Sequence, residues 1–168
     1  ASFALDGLIP IFTYQLAPGL SLERTIWMER GADITYLRYR LVTSAGAEFT
    51  SSVRARIEPY CVCRSHHASQ HTSPGWTFAV ESDTPNACVV RARPDALACR
   101  ITGGKAQFTS GGRWRMNIEH RVERERGLDD HEDVYIPGAF ALLLAPGDVA
   151  SLVISAGDTP PALPGGVM

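Results

Sequence analysis

Apolar and polar residues alternate with a period of two over most of this chain. Across 20–29, Leu20, Leu22, Ile26 and Met28 alternate with Ser21, Glu23, Thr25 and Glu29. That is the pattern of a strand with one covered face. Residues 34–42 and 48–57 alternate likewise, and further strands are expected at 76–81, 88–93, 98–102, 106–110, 114–122, 140–144 and 150–156. Between them stand turn formers, among them Ala17-Pro18-Gly19, Gly31-Ala32-Asp33, Gly103-Gly104, Gly111-Gly112, Pro137-Gly138 and Pro146-Gly147. These residues supply fixed or positive φ where a chain reverses. No window carries a capped apolar stripe at helical spacing. About ten or eleven strands joined by tight turns predict an all-β domain, an antiparallel sandwich or barrel with at most a turn or two of helix.

Two stretches break the rhythm, 58–75 and 123–138, and long irregular loops usually carry function or contact surface. The end, 157–168, holds three prolines and three glycines in twelve residues. It cannot continue a sheet and reads as a linker, so the expected organisation is a β-sandwich domain over 1–156 followed by a linker over 157–168.

The 168 residues suffice for one domain, and 45% hydrophobic with 20% charged residues is ordinary globular composition. A net charge of −2 gives no field for nucleic acid or an anionic membrane. No apolar run approaches the roughly 20 residues of a membrane helix. Of the sixteen basic residues only Lys105 is lysine; the arginines suit structured ion pairs. Cys61, Cys63, Cys88 and Cys99 form no disulfide framework, and reduced thiols in a cytosol are the simplest reading.

The first loop sets Arg64, His66, His67 and His71 beside two cysteines, but Cys-x-Cys-x-x-His-His is not a zinc spacing. It reads as a polar loop without metal. The second loop packs Glu123, Glu125, Asp129, Asp130, Glu132 and Asp133 among three arginines. Glycoside hydrolysis needs two carboxylates flanking the scissile bond, yet a dense acidic loop contains such pairs by chance, and Arg–carboxylate pairing explains it as well. Nucleophile elbows and phosphate-cradling glycine loops are absent. The tryptophans and tyrosines serve sugar stacking or a core equally well.

The segment Trp114-Arg115-Met116-Asn117-Ile118-Glu119-His120, then Glu123-Arg124-Glu125-Arg126-Gly127-Leu128-Asp129, Glu132-Asp133 and Pro137-Gly138 with Phe140, resembles the N-terminal domain of bacterial and archaeal glycogen debranching enzymes. Arg64, His67 and His71 are similar to that family's Arg-Asp-x-His-x-x-x-His segment, with Ser65 at the Asp position. Leu16-Ala17-Pro18-Gly19-Leu20, Glu23, Trp27-Met28 and Tyr39-Arg40 also fit, so the resemblance spans about Ile11 to Ser155. It implies an antiparallel β-supersandwich of the galactose-mutarotase-like or glucoamylase N-domain-like kind. The glycine-rich start and Arg-x-Tyr-His-Gly-Leu-Leu motif of the family are not in the sequence. The resemblance therefore implies the later part of an N-terminal domain, ahead of a separate catalytic (α/α)6 domain.

For function, the resemblance implies a cytoplasmic, non-catalytic domain of an amylo-α-1,6-glucosidase, inactive alone, needing no cofactor. Its expected partners are the C-terminal catalytic domain of the same polypeptide and the α-glucan, with neither nucleic acid nor membrane. The candidate substrate- or domain-contact residues are Arg64, His67, His71, Asn117, Glu119, Arg126, Asp129, Glu132 and Asp133, none of them catalytic. The alternatives are a free-standing carbohydrate-binding module, which would show an exposed row of coplanar aromatics, and a small metal-dependent β-enzyme. Arg64 lacks an opposite charge in its own loop apart from Glu58, while the second loop has carboxylates in excess. The two loops are therefore expected to share one end of the sandwich, with Arg64 bonded to Asp129, Asp130, Glu132 or Asp133.

Overall fold

The computed structural model describes residues 1–47, 49–65 and 68–157. They form two antiparallel sheets that pack like a sandwich and do not close into a barrel. The larger sheet is built from β1 (Ser2–Asp6), β2 (Ile9–Ala17), β3 (Leu20–Met28), β4 (Ile34–Thr43), β6 (Ala79–Glu81), β7 (Ala87–Arg91), β8 (Cys99–Gly103) and β11 (Val149–Ala156). Its order is β1-β2-β3-β4-β11-β8-β7-β6. The smaller sheet sets β10 (His131–Leu144) between β5 (Val53–Ile57) and β9 (Gln107–Glu119). One short helix, α1 (Arg121–Glu125), links β9 to β10.

Period-two burial fixes which faces meet. Leu41, Ile101 and Leu152 point inward from the large sheet and meet Phe140, Leu142 and Leu144 of β10, all six fully buried. Phe78, Trp76, Trp114 and Tyr135 close one end of this core with rings 4.8 to 5.5 Å apart. Trp76 and Trp114 each donate Nε1–H to a backbone carbonyl, at 3.0 and 2.9 Å, so their polar tips are satisfied inside the protein.

The structure departs from the sequence reading where charge or glycine misled it. The hairpin β1–β2 lies ahead of the first expected strand, and Val53 opens β5 later than the alternation suggests; Glu48 lies outside the described residues. Residues 123–138 are not one irregular loop, because β10 begins at His131 and runs through Pro137-Gly138. Gly111-Gly112 is not a turn either. It is a bulge in β9, two residues facing Pro137 between the pairs Ile136–Arg113 and Gly138–Ser110. A bulge is one of the few places where a sheet tolerates proline. Glycine is needed there because a Cβ on Gly112 would sit 2.0 Å from the Tyr135 hydroxyl.

A second bulge on β9 sets Met116 and Asn117 opposite Asp133, between the pairs Ile118–Glu132 and Arg115–Val134. Asn117 adopts φ 57°, a left-handed conformation that asparagine tolerates better than most residues. The two bulges bend the small sheet on either side of Trp114 and Tyr135.

Candidate functional site

Residues 58–65 and 68–77 run along the edge of β10 that β5 leaves open, and β10 is buried without a break from Glu132 to Phe140. An isolated bridge starts the contact: Cys61 and Tyr135 exchange both backbone hydrogen bonds, at 2.9 and 3.0 Å. Gln70, itself buried, ties the next part together. Its side-chain amide donates to the Asp133 carbonyl at 2.8 Å, its Oε1 accepts from the Cys63 N–H at 2.8 Å, and its own carbonyl accepts from the Asp133 N–H at 2.7 Å.

Two buried carboxylates complete the seam. Glu132 accepts from the Arg64 guanidinium through both carboxylate oxygens, from the Gln70 N–H at 3.2 Å, and faces His120 Nε2 at 3.0 Å. Asp133 accepts one backbone N–H on each oxygen, from Thr72 and from Asn117, both at 2.9 Å. Burial pushes the Glu132 pKa upward, but the Arg64 and His120 bonds outweigh it and leave the group below its ordinary value. For Asp133 the Thr72 and Asn117 amides act in the same downward direction.

Around this seam the surface is ionic and exposed. His71 Nε2 lies 2.9 Å from Asp129 Oδ2; that contact raises the histidine and lowers the carboxylate. Arg124 bridges Glu119 at 2.8 Å and Asp130 at 2.5 Å. Arg126 Nη1 reaches Glu123 at 3.3 Å. Arg64, Ser69, His120, Arg126 and Asp129 line a polar cleft of about 410 Å³ between the two segments.

The two segments thus share one end, and Arg64 bonds Glu132. Of the sequence-derived candidates, Arg64, His71, Arg126, Asp129, Glu132 and Asp133 come together here. Asn117 joins through its backbone N–H, its residue being exposed. Glu119 ends β9 in the Arg124 pair and is not in the cleft lining. His67 lies outside the described residues. Gln70 and His120 were not among the candidates: a glutamine satisfied by backbone groups has no signature in a lone sequence. His120 follows β9 as the residue before α1, and two backbone amides, those of Glu123 and Arg124, converge on its carbonyl.

Among the described residues, no group of three or more His, Cys, Asp or Glu is placed to hold a metal ion. The four cysteines are free thiols. Burial pushes Cys61 and Cys88 up to about 12 and raises Cys99, so none of these three is a thiolate nucleophile at neutral pH. No helix among the described residues is long and apolar enough to cross a membrane.

Two antiparallel sheets and a seam of satisfied carboxylates define a β-rich domain whose loops are braced against its central strand. The chain matches the family model described as glycogen debranching enzyme N terminal over residues 1–151, and it belongs to that family. It is thus a domain of the glycogen debranching enzymes, which are glycoside hydrolases. No curated protein sequence matches the chain.

Proposed function

We propose that this chain is a non-catalytic domain that supports hydrolysis of α-1,6-glucosidic branch linkages in glycogen or a related α-glucan. The reaction itself belongs to an (α/α)6 catalytic domain of the same polypeptide, in the cytoplasm, and the sandwich is the supersandwich type of that family. The observation that carries this reading is the state of Glu132 and Asp133. Glycosidases need one carboxylic acid that stays protonated at working pH, which means a raised pKa. Both buried carboxylates here are held below their ordinary values by donors on every side. They are built to stay charged and hold loops, not to deliver a proton.

The braced surface would face the catalytic domain, with Arg64, His71, Arg126 and Asp129 at its rim for docking or for contact with glucan hydroxyls. A free-standing carbohydrate-binding module is less well supported. Trp76, Trp114 and Tyr135 pack edge-on or tilted in the core, and Trp27 stacks on Tyr36 at 5.2 Å, so these rings form no coplanar exposed row. The test is Arg64→Ala in the debranching enzyme that carries this domain, with limit-dextrin turnover as readout. Lowered turnover is expected, and unchanged kinetics would leave the seam without a functional role.

A further inference from the structure

Alternation gives the small sheet two faces. Val53, Ala55 and Ile57 of β5 and Phe108 and Trp114 of β9 pack against the core. The residues between them therefore point away from it. On that outer face four exposed arginines flank β10: Arg54 and Arg56 from β5, Arg113 and Arg115 from β9. Arg54 and Arg56 pair in register with Leu143 and Ala141, while Arg113 and Arg115 pair with Ile136 and Val134. The four line a strip about 10 Å wide, two strand spacings, and roughly 30 Å long, the reach of an extended chain from Val134 to Leu143.

Among the described residues one carboxylate serves all four. Glu58 takes Arg56 Nη2 on Oε1 at 2.8 Å and Arg113 Nη2 on Oε2 at 2.7 Å, which joins the two edges of the strip. Arg115 Nη1 donates to the Tyr60 hydroxyl at 2.7 Å, and its guanidinium lies 5.7 Å from the centre of that ring. Arg54 and Arg115 form no ion pair among the described residues. Four cations against one anion leave +3 on this face of a chain whose net charge is −2. Guanidinium forks match phosphate oxygens two at a time, and a strip of this length suits a polymer better than one small anion. A protein partner calls for an apolar centre and a charged rim, whereas the centre here is the Arg56–Glu58–Arg113 bridge. Nucleic acid carries a phosphate on every residue, and the negative remainder of the chain repels so dense a polyanion. A glucan with scattered phosphate esters brings its charge to the strip alone. Tyr60, 48% exposed, offers its sugars a ring with a polar tip.

We propose that the outer face of the small sheet binds α-glucan that carries phosphate monoesters, with Arg54, Arg56, Arg113 and Arg115 gripping the esters. This rests on the reading of the chain as a domain of an enzyme that acts on α-glucan, and it names the form of glucan that this face selects. Glu58 competes with an ester for Arg56 and Arg113, so it weakens the grip and holds both guanidinium groups in place without one.

The experiment measures, by affinity electrophoresis, how the debranching enzyme that carries this domain binds amylopectin bearing phosphate monoesters and the same polymer after phosphatase treatment. The phosphorylated polymer should bind about tenfold more tightly, exposed ion pairs being weak singly and effective only together. Arg54→Gln combined with Arg115→Gln, which breaks no ion pair among the described residues, should remove most of that preference. Glu58→Gln should enlarge it, a gain that a damaged fold cannot produce. Equal affinity for the two polymers overturns the proposal, as does a preference indifferent to the double substitution. So does displacement by inorganic phosphate as effective as by the phosphorylated polymer at equal phosphate, or tighter binding to single-stranded DNA. Limit-dextrin turnover is measured on the same preparations. Turnover without the preference removes this inference alone, and the preference without turnover removes the functional reading alone.

Discussion

Arg64 and Glu132 lie 68 positions apart, one in a loop and one in the central strand of the small sheet, and their side chains form a two-pronged ion pair. The carboxylate is buried and shared with His120 and the Gln70 amide. Removing the arginine leaves a buried charge with weaker compensation. Arg64→Ala should therefore destabilise the chain by about 2–3 kcal/mol, less than a fully buried pair would cost because His120 and Gln70 remain. Urea unfolding checks it. Arg64→Lys should recover only part, since an ammonium cannot grip both oxygens in one plane.

The seam also fixes how stability responds to acid. The folded-state pKa values of Glu132 and Asp133 lie below the ordinary 4.5 and 3.8. Their contribution is fully present above those values and is lost as pH falls through the lower folded ones. Urea midpoints should hold from neutral pH to about pH 5 and then drop, and Asp133→Asn should flatten that drop.

His71 behaves in the opposite sense. The Asp129 contact lifts it above 6.5, so its contribution is present below 6.5 and fades as pH rises through the folded value. Titration of the ring protons by NMR should give a midpoint above 6.5. Asp129→Asn should bring it back toward that value.

Gly112→Ala tests the bulge. The new Cβ would meet the Tyr135 hydroxyl at 2.0 Å and the ring carbon beneath it at 3.0 Å. A loss of about 1–3 kcal/mol is expected from such overpacking. Tyr135→Phe removes the nearest atom, so the double variant should be more stable than the two single losses predict when added. Strict additivity in the cycle would mean that the glycine is there for another reason.

How much of this was legible in the sequence differs residue by residue. Alternation located β3 and β4 closely, since Leu22, Tyr39 and Leu41 share one face while Glu23, Arg38 and Arg40 take the other. The β-rich class and its antiparallel turns came from the same period. The end of β10 was expected at 140–144, but its start was hidden because it carries Glu132 and Asp133 at buried positions, where composition argues for a loop. Tertiary partners, Arg64, Gln70 and Thr72 from one segment with His120 and Asn117 from the end of β9, make that burial tolerable. Gly111-Gly112 was misread because glycine signals a turn and a bulge alike. The excess of carboxylate near Arg64 pointed to the ion pair; Gln70 left no such trace, its side chain pairing only with backbone groups.

The central claim is that this domain braces and does not hydrolyse. Release of glucose from a glycogen limit dextrin by the purified 168-residue chain alone tests it most directly. No release above the buffer background is expected, with turnover found only in the enzyme that also carries the catalytic domain. Sustained hydrolysis by the chain alone, abolished by Glu132→Gln or Asp133→Asn, would contradict the account.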